Sequence, residues 1–316
     1  MRPIDSVNVA TATRMSSDTV FSARLRAYVE LTKLRISVMV LLTFVVTGIL
    51  AATTASDPIP FGVLLTRLFW GTIGMALVAF SGNAANMYLE RYSDFLMPRT
   101  ASRPLPSARL NASEVALFTA ISLGAGTAIL WQAVNWQIAI CGLANWILYA
   151  LIYTPLKKKH WVNTEIGAVA GALPIIMGSL ATTESVGLIG WSFFGVLFFW
   201  QFPHFMAIAW KYRDQYRAGG LKMLTVTEPS GRAAGIKAVV TAVLLIGVSL
   251  LPIVEARTWF QAVLLLTLTL GLGGYYLRAS WLFLLDRNDR SAKHLLRSSL
   301  FYLPLYMLVL MIVCLT

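Results

Sequence analysis

The chain has 316 residues, a mean hydropathy of +0.69, 57% hydrophobic residues and only 13% charged ones. Soluble domains carry about 25% charged residues, so a water-facing surface cannot be assembled from this inventory. The net charge of +12 does not point to nucleic acid, because the basic residues sit in short clusters between long apolar runs, as they do in the loops of membrane proteins.

Residues 1–30 are polar and lack the apolar stretch of a secretory signal, so no cleaved leader is expected. Asp5, Asp18 and Glu30, together with the shortness of the segment, argue against a mitochondrial transit peptide. The segment reads as a polar cytoplasmic arm before a single domain spanning 31–316, which no polar linker divides. A helix rising about 1.5 Å per residue needs roughly 20 apolar residues to cross a bilayer. Nine such runs follow, near 36–54, 62–82, 114–131, 136–153, 165–182, 190–210, 236–254, 259–279 and 298–315. The fold expected is all-α, a polytopic membrane protein with nine transmembrane helices.

Charge then orients the spans. Of the 26 basic residues, only Arg67 and Arg257 fall in odd-numbered connections; the rest occupy the N-terminal arm and the even loops. Positive charge accumulates on the cytoplasmic side, which places the N-terminus inside and the C-terminus outside. Cys141 and Cys314 lie in apolar runs far apart, with no CxxC spacing, and read as small buried hydrophobes. The Gly167/Gly171 pair and the glycines of 271–274 lie in apolar helices, where small residues let helices approach closely.

Two polar constellations stand out. After the second run, Asn86, Glu90 and Asp94 recur at every fourth position, one helix stripe about 12 Å long. Carboxylates at the end of a membrane helix are costly unless they face a cavity or bind a cation, and oxygen ligands at this spacing suit Mg2+. Arg99 and Arg103 follow at once; an arginine fork bridges phosphate oxygens, so stripe and arginines together suit a diphosphate–Mg2+ pair, although each could be an ordinary interfacial ion pair. After the sixth run come Gln201, Pro203 and His204, then Asp214 and Tyr216. A histidine inside a membrane helix could ligate a metal or metalloporphyrin, move a proton, or simply bond a neighbouring helix. Asp214 could supply a further metal-binding carboxylate or pair with Arg213 or Arg217. Lys157, following Tyr153 and heading a run of three lysines, could reach the same phosphates or serve as a topology anchor.

The order of these motifs carries a resemblance: the carboxylate stripe with RTxxRPL, then YTxLK, GAxAGAxP, FWQFPHF and a DxYxxGG-type loop. It is similar to the protoheme IX farnesyltransferase (heme O synthase) branch of the intramembrane UbiA-type prenyltransferases, in register over about residues 28–235. The resemblance implies a ring of nine helices around a central cavity with cytoplasmic capping loops. It implies transfer of a farnesyl group from farnesyl diphosphate to the 2-vinyl group of protoheme (heme B), giving heme O, with Mg2+ as cofactor. Carried over, Asn86, Glu90 and Asp94 fall on the first Mg2+–diphosphate motif, Asp214 on the second and His204 on the characteristic histidine. Arg99, Arg103 and Lys157 are the expected diphosphate contacts, with Tyr153, Gln201 and Tyr216 as further substrate contacts and Glu90, Asp94 and Asp214 as metal ligands. Two departures appear: glutamate occupies the middle of the first stripe, where aspartate is commoner, and Gln215 leaves the second motif with one carboxylate. A bacterial inner membrane is expected, with the mitochondrial inner membrane as the alternative. Heme A synthase or cytochrome oxidase assembly proteins are the expected partners, with no nucleic acid. Rival readings are a prenyltransferase for an aromatic acid or pigment, a secondary transporter, and a respiratory assembly factor. The transporter fits poorly, since charges gather at one end and no inverted repeat is evident.

Overall fold

The computed structural model describes residues 17–315 except 56 and 58; the first 16 residues of the expected arm, Asp5 among them, lie outside the described residues. A short helix, α1 (Ser17–Leu31), precedes the bundle. The spans are α2 (Leu34–Thr54), α3 (Phe61–Phe95), α4 (Ala112–Ala133) and α5 (Trp136–Trp146), the last continued by a π-helical segment (Ile147–Tyr153) and the single turn α6 (Thr154–Leu156). They continue with α7 (Asn163–Thr183), α8 (Leu188–Lys211), two short helices α9 (Arg213–Ala218) and α10 (Leu224–Thr227), α11 (Arg232–Leu250), α12 (Trp259–Asp286) and α13 (Asp289–Leu315). Among the described residues there is no strand, and nine helical spans are long and apolar enough to cross a membrane, in the order expected from the sequence.

Two circuits of helices share the α2–α7 pair. In one, α3 packs on α4, α4 on α5, and α5 returns to α7; in the other, α8 packs on α11, α11 on α12, and α12 on α13, which returns to α8 and α2. Between lipid-facing helices there is no hydrophobic driving force, so close contact depends on small residues at the crossings. The pair Gly167/Gly171 shows why: a Cβ on Gly167 would lie 2.7 Å from the Tyr153 ring, and one on Gly171 would lie 2.3 Å from Gln201 Oε1. These glycines seat one side chain from each of two neighbouring helices. Gly273 likewise faces Ile246 at 2.5 Å, whereas Gly271 and Gly274 meet nothing.

Outside the ring, α1 lies on the ends of α3 and α4. Its Ala27 and Leu31 are fully buried in a cluster with Met87, Leu110 and Val115, and Arg24 pairs with Glu114. Phe21, Leu25 and Val29, one turn apart, form an exposed stripe on the same helix. The boundary that matters most for function is the C-terminal end of α3. This helix runs unbroken for 35 residues, about 52 Å, and so carries the polar stripe out of the apolar layer on one rigid element.

Candidate functional site

The continuous α3 places Asn86, Glu90 and Asp94 on one face, and all three are at least 95% buried, at relative exposures of 1%, 5% and 0%. Each meets a cation. Glu90 Oε1 accepts from Lys157 Nζ at 2.8 Å, Asp94 Oδ2 from Arg103 Nη1 at 2.6 Å, and Asn86 Oδ1 from Lys33 Nζ at 2.6 Å. Asn86 Nδ2 donates in turn to Thr154 Oγ1 at 3.0 Å. The other oxygen of Asp94, Oδ1, is buried with no hydrogen-bond partner.

Local backbone chemistry delivers the two lysines. Pro155 has no N–H and its ring crowds the carbonyl four residues back; the helix answers by widening into the π segment just before it. Thr154 N–H then reaches Tyr149 O, five residues back. That turn brings Thr154 and Lys157 to α3, and Lys157 Nζ lies 4.4 Å from the centre of the Tyr153 ring. Although burial pulls the Lys157 ammonium down, the Glu90 carboxylate and the neighbouring tyrosines hold it above the usual lysine range. Lys33 enters through a left-handed residue at the α1–α2 junction, φ 48° and ψ 52°. That conformation is unfavourable for an L side chain by roughly 1–2 kcal/mol, and Asn83 braces it. Asn83 Nδ2 donates to Thr32 O at 2.9 Å and to Ser37 Oγ at 3.1 Å, fastening the turn to α3. Burial, with Arg103 close by, lowers the Lys33 pKa to about 7.

Sequence reasoning missed Lys33, Asn83 and Thr154. In the linear chain Lys33 looks like Arg35, one more charge before the first span; the structure half-buries Lys33 against α3 and leaves Arg35 exposed. The only local sign was Pro155, which marks a helix irregularity beside Thr154.

A cap covers this end. Arg99 lies over Tyr212 at 4.7 Å and Tyr216 at 5.7 Å, and its backbone N–H donates to Gln215 Oε1 at 3.4 Å. Burial raises the Tyr216 hydroxyl above its ordinary pKa despite the nearby Arg99. Lys222 N–H donates to Lys157 O at 2.7 Å, so the loop after α9 is tied to the Lys157 turn. Asp214 departs from expectation. Its side chain is 74% exposed and pairs with Arg217 at 3.0 Å on its own helix, so the structure does not bring it to Glu90 and Asp94. The physical reason is α9 itself, six residues whose i,i+3 spacing satisfies Asp214 locally.

Of the remaining expected residues, Gln201 is 5% exposed and its Nε2 donates to Ala168 O and Leu197 O, so its amide protons are spent on bracing α8 against α7. Tyr153 stacks on Tyr149 at 5.6 Å. His204 Nδ1 lies 2.7 Å from Ser299 Oγ, and its ring stacks on Trp200 at 4.8 Å. A separate cavity of about 500 Å³ opens at the opposite end of the bundle, beside Arg67, Ser179 and Glu184, and holds none of these groups.

Arg103 and Lys157 thus offset the two carboxylates, and Lys33, whose charge is held down by burial and by Arg103, gains a full positive charge when an anion lies beside it, so the set suits an anion. No group of three His, Cys, Asp or Glu side chains gathers to hold a metal among the described residues. Two carboxylates with one orphaned oxygen are what Mg2+ takes when substrate phosphates complete its shell, so the residues present fit that ion.

The profile of the UbiA prenyltransferase family matches residues 40–305. The chain is 41% identical to a protoheme IX farnesyltransferase of Rhodopirellula baltica over 287 residues, covering 89% of this chain and 98% of that one. Against the mitochondrial protoheme IX farnesyltransferase of Homo sapiens it is 34% identical, covering 86% of this chain and 60% of the other. Among solved structures, a digeranylgeranylglyceryl phosphate synthase superposes with a TM-score of 0.74 at 17% identity, covering 92% and 98% of the two chains. A UbiA homologue from Archaeoglobus fulgidus, solved with DMAPP and Mg2+, superposes with a TM-score of 0.67 at 16% identity over 92% and 99%.

Proposed function

The chain belongs to the UbiA prenyltransferase family, and from that premise we propose that it transfers the farnesyl group of farnesyl diphosphate to the 2-vinyl group of heme B, producing heme O. The observation that carries the reading is the buried meeting of Glu90 and Asp94 with Lys33, Arg103 and Lys157, with Asp94 Oδ1 left unpaired.

The diphosphate enters from the basic end of the bundle and is gripped by Lys33, Arg103 and Lys157, with Arg99 and Tyr216 closing over it. Glu90 and Asp94 would hold Mg2+, which supplies further neutralisation of the leaving diphosphate. Asp214, tied to Arg217, takes no part in that grip. The C1–O bond of the farnesyl group breaks with its electron pair going to the diphosphate, and fixed cations stabilise that developing charge. The terminal vinyl carbon of heme B forms the new C–C bond with farnesyl C1. Water adds to the inner vinyl carbon and releases a proton, leaving the hydroxyethylfarnesyl side chain. Asn86, held between Lys33 and Thr154, keeps the lysine aimed inward. Tyr153 supports Lys157, Gln201 holds α8 in register, and His204 serves the heme side.

The basic end faces the cytoplasm of a bacterium whose inner membrane holds the protein, in line with the clustering of positive charge there. The product passes to heme-using enzymes such as heme A synthase or to oxidase assembly proteins. The test is to incubate membranes containing the protein with heme B, farnesyl diphosphate and Mg2+, and to resolve the hemes by mass. Heme O formation is expected; heme B recovered unchanged would overturn the assignment.

A further inference from the structure

His204 sits on α8 between two interfaces. At about 100° per residue, Trp200 and His204 share a stripe, and Trp200 Nε1 donates to Ser299 O of α13 at 2.8 Å. Gln201, one residue round the helix, faces α7 through Ala168 O. The histidine therefore points into the angle between α7 and α13, helices that also pack on α2.

Hydrogen accounting favours one tautomer. Ser299 Oγ lies 2.6 Å from Leu296 O and 2.7 Å from His204 Nδ1. A carbonyl only accepts, so in the Leu296 bond Ser299 is the donor, and the Tyr276 hydroxyl is a further neighbour of its Oγ; a hydroxyl proton engaged there is not available to Nδ1. The imidazole then donates from Nδ1, which leaves the Nε2 lone pair of the neutral ring free; Nε2 meets no hydrogen-bond partner among the described residues. The ring is also held in orientation. It stacks on Trp200 at an interplanar angle of 22°, and Tyr276 Oη donates to Trp200 O at 3.0 Å. One nitrogen donating to a fixed oxygen and the other open is the arrangement of a metal-ligating histidine, whose second nitrogen is anchored in this way.

Among the described residues no group of three His, Cys, Asp or Glu side chains gathers around it or elsewhere, so a bare ion would lack the several ligands it needs. An iron already held by four porphyrin nitrogens needs only an axial one. We infer that His204 Nε2 is an axial ligand to the iron of the heme substrate, with Ser299 as the positioning residue that favours that tautomer; the inference rests on the heme-prenylating reading above. Ligation at the iron would hold the macrocycle at one height and rotation against α8 and α13, with the Trp200 and Phe205 rings close to the imidazole.

The experiment titrates heme B into the purified full chain in detergent, without farnesyl diphosphate, and follows the Soret band and the ferric EPR spectrum. The wild-type protein should show imidazole ligation. His204→Ala should lose that signature and regain it in saturating imidazole, which also shows that the variant is folded around an intact heme pocket. Ser299→Ala should keep imidazole ligation but bind heme about tenfold more weakly, the usual loss when a ligand's supporting partner is removed. If His204→Ala binds heme with the wild-type spectrum while the wild-type protein still makes heme O, this inference falls and the prenyl-transfer reading stands. If the wild-type protein binds no heme at all, both fall.

Discussion

Replacing Glu90 by glutamine separates a catalytic carboxylate from a structural one. Glu90 Oε1 and Lys157 Nζ are 2.8 Å apart, with side-chain exposures of only 6% and 15%. Removing one partner of a buried pair leaves the other charge uncompensated, at about 3–5 kcal/mol. Because Lys157 keeps the Tyr153 face and some solvent, a loss of ~2–3 kcal/mol is the better expectation, roughly 30- to 150-fold in the folding equilibrium. Glu90→Gln should therefore lower the thermal midpoint in detergent as well as abolish heme O formation. The double variant Glu90→Gln/Lys157→Met removes both charges and should recover most of the stability while staying inactive. Thermal unfolding and mass analysis of extracted hemes, run on the same membranes, read the two effects separately. Turnover near the wild-type rate in the double variant would refute the placement of Glu90 at the reacting diphosphate.

Chelation should abolish product formation and excess Mg2+ restore it, with Asp94→Asn raising the Mg2+ concentration needed at least tenfold; an activity indifferent to chelator would remove the ion from the scheme. Lys33→Met should raise the KM for farnesyl diphosphate about 10- to 100-fold, the range of a lost charge-assisted hydrogen bond, and leave heme affinity unchanged. An unaltered KM would make Lys33 a structural charge. Gly171→Ala should destabilise by about 1–3 kcal/mol, since its Cβ would sit 2.3 Å from Gln201 Oε1, and the shift in thermal midpoint should largely vanish in a Gln201→Ala background.

The site shows where linear reading stops. Asn86, Glu90 and Asp94 were legible because a period of four on a helix is a local geometric fact, true whatever the rest of the chain does. Asp214 was equally visible, yet on its short helix the nearest partner was Arg217 three residues on, and local satisfaction prevailed over the expected long-range meeting. Lys33 was invisible for the converse reason. Its role depends on Asn83, fifty positions away in sequence, holding the α1–α2 turn against α3. The Ser299–His204 bond likewise joins positions 95 residues apart.

Composition and hydrophobic run length by themselves determined a nine-span helical membrane protein, because a bilayer demands that each span satisfy its own backbone and be apolar over a set length. The motif order pointed to the family, and the four-residue period determined which oxygens share a face. Tertiary structure alone decided which cation meets which carboxylate, which of two neighbouring basic residues turns in to the site, and which nitrogen of His204 is open. Those depend on helices far apart in sequence being pressed together, and side chains of one type become distinct only when different neighbours surround them.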